Sequence, residues 1–97
     1  MPSINNSIAT QKFDQLQIEK LLKNDNFEIL SISLEKGSVF PDHTSPTHAY
    51  LLVLEGKIEF HILGEKHMLE KLQLFDFPEN TTHSVLAEED SKFVIIR

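Results

Sequence analysis

From residue 27 onward the chain alternates apolar and polar positions in short runs, and that alternation predicts strands. Within Phe27–Leu34, Leu30, Ile32 and Leu34 fall on one face and Ser31 and Ser33 on the other. Lys57–Leu63 alternates strictly, with Ile58, Phe60 and Ile62 opposite Lys57, Glu59 and His61. Ala49–Leu54 is a nearly continuous apolar strand, Leu72–Phe77 alternates again, and His83–Ala87 and Phe93–Ile96 close the chain. Turn signals separate these runs: Glu35-Lys36-Gly37, Glu55-Gly56, Gly64-Glu65-Lys66 and Pro78-Glu79-Asn80. Short strands punctuated in this way predict an all-β sandwich or barrel, and no βαβ spacing is present.

The first quarter of the chain reads differently. Ile18, Leu21 and Leu22 have helical spacing among Leu, Glu, Lys and Gln, so a short helix is expected over Phe13–Lys23, although a strand over 13–18 fits almost as well. Asn24-Asp25-Asn26 stops the segment. The Ser- and Asn-rich Met1–Thr10 reads as a loose arm, extended to residue 12, ahead of one domain over residues 13–97.

Composition narrows the function classes. The 97 residues carry 9 basic and 15 acidic side chains, a net charge of −6, with the lysines scattered singly. Without a basic patch, neither nucleic acid nor an anionic membrane surface is an expected partner. The longest apolar stretch, Tyr50–Leu54, is far short of the roughly 20 residues of a membrane span. The polar N-terminus lacks the pattern of a secretory signal, and a cytoplasmic location is expected. The absence of cysteine excludes a disulfide scaffold, an iron–sulfur cluster and a thiol nucleophile. GxSxG, P-loop, HExxH and CxxC motifs are also absent.

Five histidines remain, at 43, 48, 61, 67 and 83. His43 and His48 flank the loop before the Leu51–Leu54 strand, and His83 opens a later one. In a closed antiparallel sheet, residues at the starts of distant strands meet, so two such histidines can share a metal or a ligand. His61 alternates with an apolar face and is expected on the solvent side, and His67 in a hairpin is expected to be exposed. Glu88-Glu89-Asp90 reads as a solvated turn.

The stretch from Gly37 through His43, His48 and Ala49 to Val53-Leu54-Glu55-Gly56 resembles the first motif of the cupins, a glycine followed by HxH, a Glu and a VLEG turn. Leu72 to His83, with Pro78 and Asn80 between, resembles the second motif. The resemblance covers about residues 27–97. It implies a double-stranded β-helix, a jelly-roll barrel, and also a homodimer paired through a sheet edge, for which Phe93–Ile96 is a candidate. Counting back from Gly56, the family's first His falls on His43, its second on Ser45 and its Glu on Ala49. The second motif's opening glycine and aspartate fall on Leu72 and Gln73, its later glycine on Asn80, and its His on His83.

Two of the four usual ligands are therefore kept. A catalytic zinc takes three protein ligands, and a non-haem iron two His and a carboxylate. A divalent Zn, Ni, Fe or Mn held by His43 and His83 would need a third group, for which His48 is nearest. Strand alternation opposes it, since His48 and Ala49 point to opposite faces unless Pro46 forces a bulge. Asp76 fails the same test if Phe75 and Phe77 point in. Two readings follow. One is a cupin binding a small molecule in a barrel pocket lined by Ala49, Leu51, Val53, Phe75 and Phe77, with His43 and His83 as polar fixed points. The other is a metal-dependent oxygenase or isomerase of small acids. A blander third has those apolar residues as plain core and the domain as an interaction module.

Overall fold

The computed structural model describes all residues, 1–97. Nine strands follow one short helix: α1 (Ser7–Thr10), β1 (Leu16–Lys23), β2 (Glu28–Leu34), β3 (Val39–His43), β4 (Ala49–Glu55), β5 (Lys57–Ile62), β6 (Glu65–Glu70), β7 (Leu74–Phe77), β8 (His83–Ala87) and β9 (Ser91–Ile96). They form a five-stranded sheet, β1-β2-β9-β4-β7, packed on a four-stranded one, β3-β8-β5-β6, with every pairing antiparallel. The order is that of a jelly roll, because successive strands repeatedly cross from one sheet to the other.

Alternation sets which side chains meet between the sheets. Leu30, Ile32 and Leu34 of β2, Ala49, Leu51 and Val53 of β4 and Phe93 and Ile95 of β9 face Ile58, Phe60 and Ile62 of β5 and Val85 and Ala87 of β8. All are buried, and Phe60, Phe77 and Phe93 fill the middle of the layer. The VLEG turn has a steric cause. Gly56 sits at φ +85°, and a Cβ there would collide with Ser91 Oγ and the Asp90 carbonyl at the start of β9. Ser91 Oγ also accepts the Lys57 N–H at 3.0 Å, locking the β4–β5 corner onto β9.

Two expectations change. The segment expected to be a helix over 13–23 is the edge strand β1, paired with β2 from Leu16↔Leu34 to Lys23↔Glu28. The open β2 edge offers it a full ladder, and this context outweighs the weak helix propensity of LQIEKLLK. The short helix lies earlier, at Ser7–Thr10. Phe93–Ile96 is no edge: β9 lies between β2 and β4, where both sides of its ladder are satisfied.

The N-terminal segment is held against the outer face of the larger sheet. Ser31 Oγ donates to Gln11 Oε1 at 2.8 Å, Ser33 Oγ donates to the Lys12 carbonyl at 2.6 Å, and Lys92 Nζ donates to the Ile8 carbonyl at 2.9 Å. Lys92 Nζ also sits 5.1 Å from the centroid of the Phe13 ring. These contacts explain why Ser31, Ser33 and Lys92 are buried on a face that alternation assigns to solvent. No helix is long and apolar enough to cross a membrane.

Candidate functional site

His43 and His83 lie directly opposite each other across the β3–β8 pair. His83 continues the inward row of Val85 and Ala87. His43 reaches the same face through a bulge. Phe40 pairs with Val85 and His43 with His83, so three steps along β3 oppose two along β8. A regular strand would turn residues 40 and 43 to opposite faces, whereas here their rings stack with centroids 3.9 Å apart. Pro41 is accommodated because β3 is a sheet edge. The imidazole centroids are 4.0 Å apart in a T-shaped arrangement. Phe77 and Phe60 close the other side of His83, at 4.5 and 5.2 Å.

The two imidazoles are held alike. His43 Nδ1 lies 2.7 Å from the carbonyl of Pro41, and His83 Nδ1 lies 2.9 Å from that of Thr81. A carbonyl only accepts, so each Nδ1 carries the hydrogen and each Nε2 keeps its lone pair. Neither Nε2 has a protein partner. Every sealed side-chain nitrogen and oxygen in the molecule does have one, so the little surface that His83 retains includes its Nε2. Burial is the main cause that lowers both pKa values below 6.5, partly opposed by the two carbonyls. The neighbouring His43 lowers His83 further, and the positive field of Arg97 lowers both. The site is a pair of neutral imidazoles offering two acceptors.

The other expected site residues are elsewhere. His48 is on the outer face, with Nε2 2.7 Å from Asp76 Oδ2, and both side chains are about half exposed. It does not join His43 and His83, because it lies against Asp76 and Tyr50 while the neighbouring Ala49 is buried in the core. His61 is exposed near Glu59, and His67 is half-buried against the Phe75 ring. Ala49, Leu51 and Val53 are fully buried core and line no opening, because the phenyl rings occupy the space a barrel pocket would need. Phe75 and Phe77 do line an opening, a surface groove of about 280 Å³ that also includes His67 and Asp76. Sequence reasoning offered Phe40 and Phe60, with Tyr50, Phe75 and Phe77, as pocket lining or plain core, and did not place them in ring contact with His43 and His83. For Phe40 the signal was Pro41, a proline inside a strand two residues from a histidine.

A resident metal would need donors at the positions that the resemblance assigns to the missing ligands. Ser45, where the resemblance places a second His, is buried with its hydroxyl donated to the Thr47 carbonyl at 2.6 Å. Ala49, where it places a Glu, has no donor atom. No group of three His, Asp or Glu side chains in the molecule is arranged so that it could hold a metal ion. Two imidazoles fall short of a three-ligand site, and the residues do not fit a tightly held metal on their own.

The two antiparallel sheets, filled interior and histidines on β3 and β8 define a small jelly-roll domain. The model of the Cupin domain family matches residues 30–96, and the chain belongs to that family. Among solved structures, an RmlC-like cupin protein from Desulfovibrio desulfuricans superposes with a TM-score of 0.87 at 25% identity, covering 99% of this chain and 95% of that one. A Streptococcus pyogenes protein of unknown function, SPY1581, superposes at 0.79 and 24% identity, covering 99% and 93%. Among curated proteins, quercetin 2,3-dioxygenase of Bacillus subtilis (strain 168) is 41% identical over 61 residues, 62% of this chain. That match spans 18% of the dioxygenase's own length.

Proposed function

We propose that this cupin binds a small molecule bearing hydroxyl or N–H donors at the mouth of the barrel, with His43 and His83 as the recognition point. One observation carries the reading: two neutral imidazoles 4.0 Å apart, each with Nδ1 tied to a backbone carbonyl and Nε2 left free. A ligand with two donors satisfies both acceptors, and Phe40 beside the pair offers an apolar wall. The filled interior puts such a ligand at the rim rather than deep between the sheets. The Bacillus subtilis relative supplies a first probe, quercetin, a flat molecule with several hydroxyl donors.

The second reading is a metal-dependent enzyme. It is favoured by the same Nδ1–carbonyl bonds, since metal-bound histidines commonly donate their other N–H in this way. It requires a third ligand from outside the pair.

The experiment is a pair of titrations monitored by backbone amide NMR. Quercetin should shift the amides of Phe40, His43 and His83 saturably, and His43→Phe with His83→Phe should abolish the effect. Zn²⁺, Ni²⁺, Mn²⁺ and Fe²⁺ should bind only weakly. Absence of any quercetin response at these residues contradicts the ligand reading. One tightly held equivalent of metal replaces it with the enzyme reading. In solution we propose a homodimer, with cytoplasmic residence; sedimentation of the purified protein checks the first.

A further inference from the structure

A second opening lies outside the histidine site, where the turn between β1 and β2 meets the loop before β4. Two grooves there, of about 420 and 300 Å³, share Asn26, Phe27, Thr47 and Arg97 and so form one continuous depression. One half is lined by Lys20, Lys23 and Arg97, together with Asp25 and Glu28. The other half carries Phe27, Tyr50 and Ile96, with His48, bonded to Asp76, beside Tyr50. Three of the chain's nine basic residues gather here, although the molecule as a whole has a net charge of −6.

Arg97 is built into this groove. Its backbone N–H donates to the Glu28 carbonyl at 3.0 Å, and its Nε donates to Glu28 Oε1 at 2.8 Å. Glu28 thus fixes the guanidinium from one side and leaves both Nη groups without a protein partner. Since no sealed polar side-chain atom lacks a partner, these Nη groups are open to solvent. Lys20 Nζ flanks Glu28 at 3.5 Å, and Lys23 is exposed with no ion pair. Beside this charged end, Phe27 and Tyr50 are 38% and 47% exposed, a large aromatic surface for a domain with one tyrosine and seven phenylalanines.

We infer that this groove binds a small organic acid with an apolar or aromatic body. The guanidinium fork matches a carboxylate, Lys23 adds a second positive charge, and the body lies on Phe27, Tyr50 and Ile96. A bare inorganic anion would leave the apolar half unused, and a neutral aromatic would leave the Nη donors in water.

The test is an amide NMR titration of the whole chain with phenylacetate, phenylacetamide and acetate. Phenylacetate should shift Asn26, Phe27, Thr47, Tyr50 and Ile96 saturably, and the two controls should bind at least about tenfold more weakly. Arg97→Gln should weaken phenylacetate about tenfold and Lys23→Gln about threefold. Should Arg97→Gln not fold, Lys23→Gln and Tyr50→Ser decide the matter, since both alter exposed side chains. The inference is overturned if phenylacetate gives no saturable shift, if phenylacetamide binds equally well, or if the shifts centre on His43 and His83 instead. The outcome is independent of the quercetin titration, whose expected shifts lie at different residues.

Discussion

The molecule holds two histidine pairings, and they behave oppositely. His43–His83 sits on the inward face of the smaller sheet, packed by Phe40, Phe60 and Phe77 and kept neutral by burial. His48–Asp76 sits on the outer face of the larger sheet, a 2.7 Å Nε2–Oδ2 contact with both side chains about half exposed. Each sets an imidazole against a close partner, His83 against His43 and His48 against Asp76. What differs is strand parity, together with one bulge in β3. The first pair offers two free Nε2 acceptors beside an apolar wall, while the second commits its Nε2 to an exposed carboxylate, a surface contact of the kind that contributes little to folding.

The comparison breaks most visibly if the buried ring is removed. His83→Ala leaves a void between His43, Phe60 and Phe77 and should cost about 2–3 kcal/mol in urea unfolding, as other large-to-small core changes do. Acid should separate the pairs next. The buried imidazoles have pKa values below the unfolded 6.5, so the unfolded chain binds protons first. Their contribution is intact above that pH and is lost as pH falls from 6.5 through the lower folded values. Thermal melts at decreasing pH should show the loss, and His43→Phe with His83→Phe should flatten it.

The outer region can also gain. Leu72 stands at φ +70° with its side chain 71% exposed, so Leu72→Gly relieves backbone strain and loses little packing. It should stabilise by about 0.5–1 kcal/mol, net of the added unfolded-state freedom, read as a raised Tm. The smallest effect belongs to His48→Ala, which should change urea stability by less than about 0.5 kcal/mol. A loss there as large as that of His83→Ala would erase the distinction between the two pairs.

Much of this arrangement was legible in the sequence, for identifiable reasons. The strict alternation of Lys57–Leu63 and the parity of residues 48 and 49 fixed the faces of β4 and β5, and hence the outward His48. The glycine positions that the resemblance assigned to Leu72 and Asn80 both have positive φ, at 70° and 53°. That shows the backbone turns persist where the glycines do not. The strand β1 was obscured because its residues also suit a helix, and only the open β2 edge decides between them. The filled barrel was hidden because an inward Phe reads alike whether it lines a cavity or occupies one. The groove around Arg97 joins residues 20 to 97 through a hairpin and a loop, and no local pattern reports such a meeting.

The most direct test of the central claim is the tautomer and charge of His43 and His83, read from long-range ¹H–¹⁵N NMR of the imidazole rings at neutral pH. The account predicts two neutral rings with hydrogen on Nδ1 and bare Nε2. Imidazolium rings at 43 and 83, or hydrogen on Nε2, would contradict it.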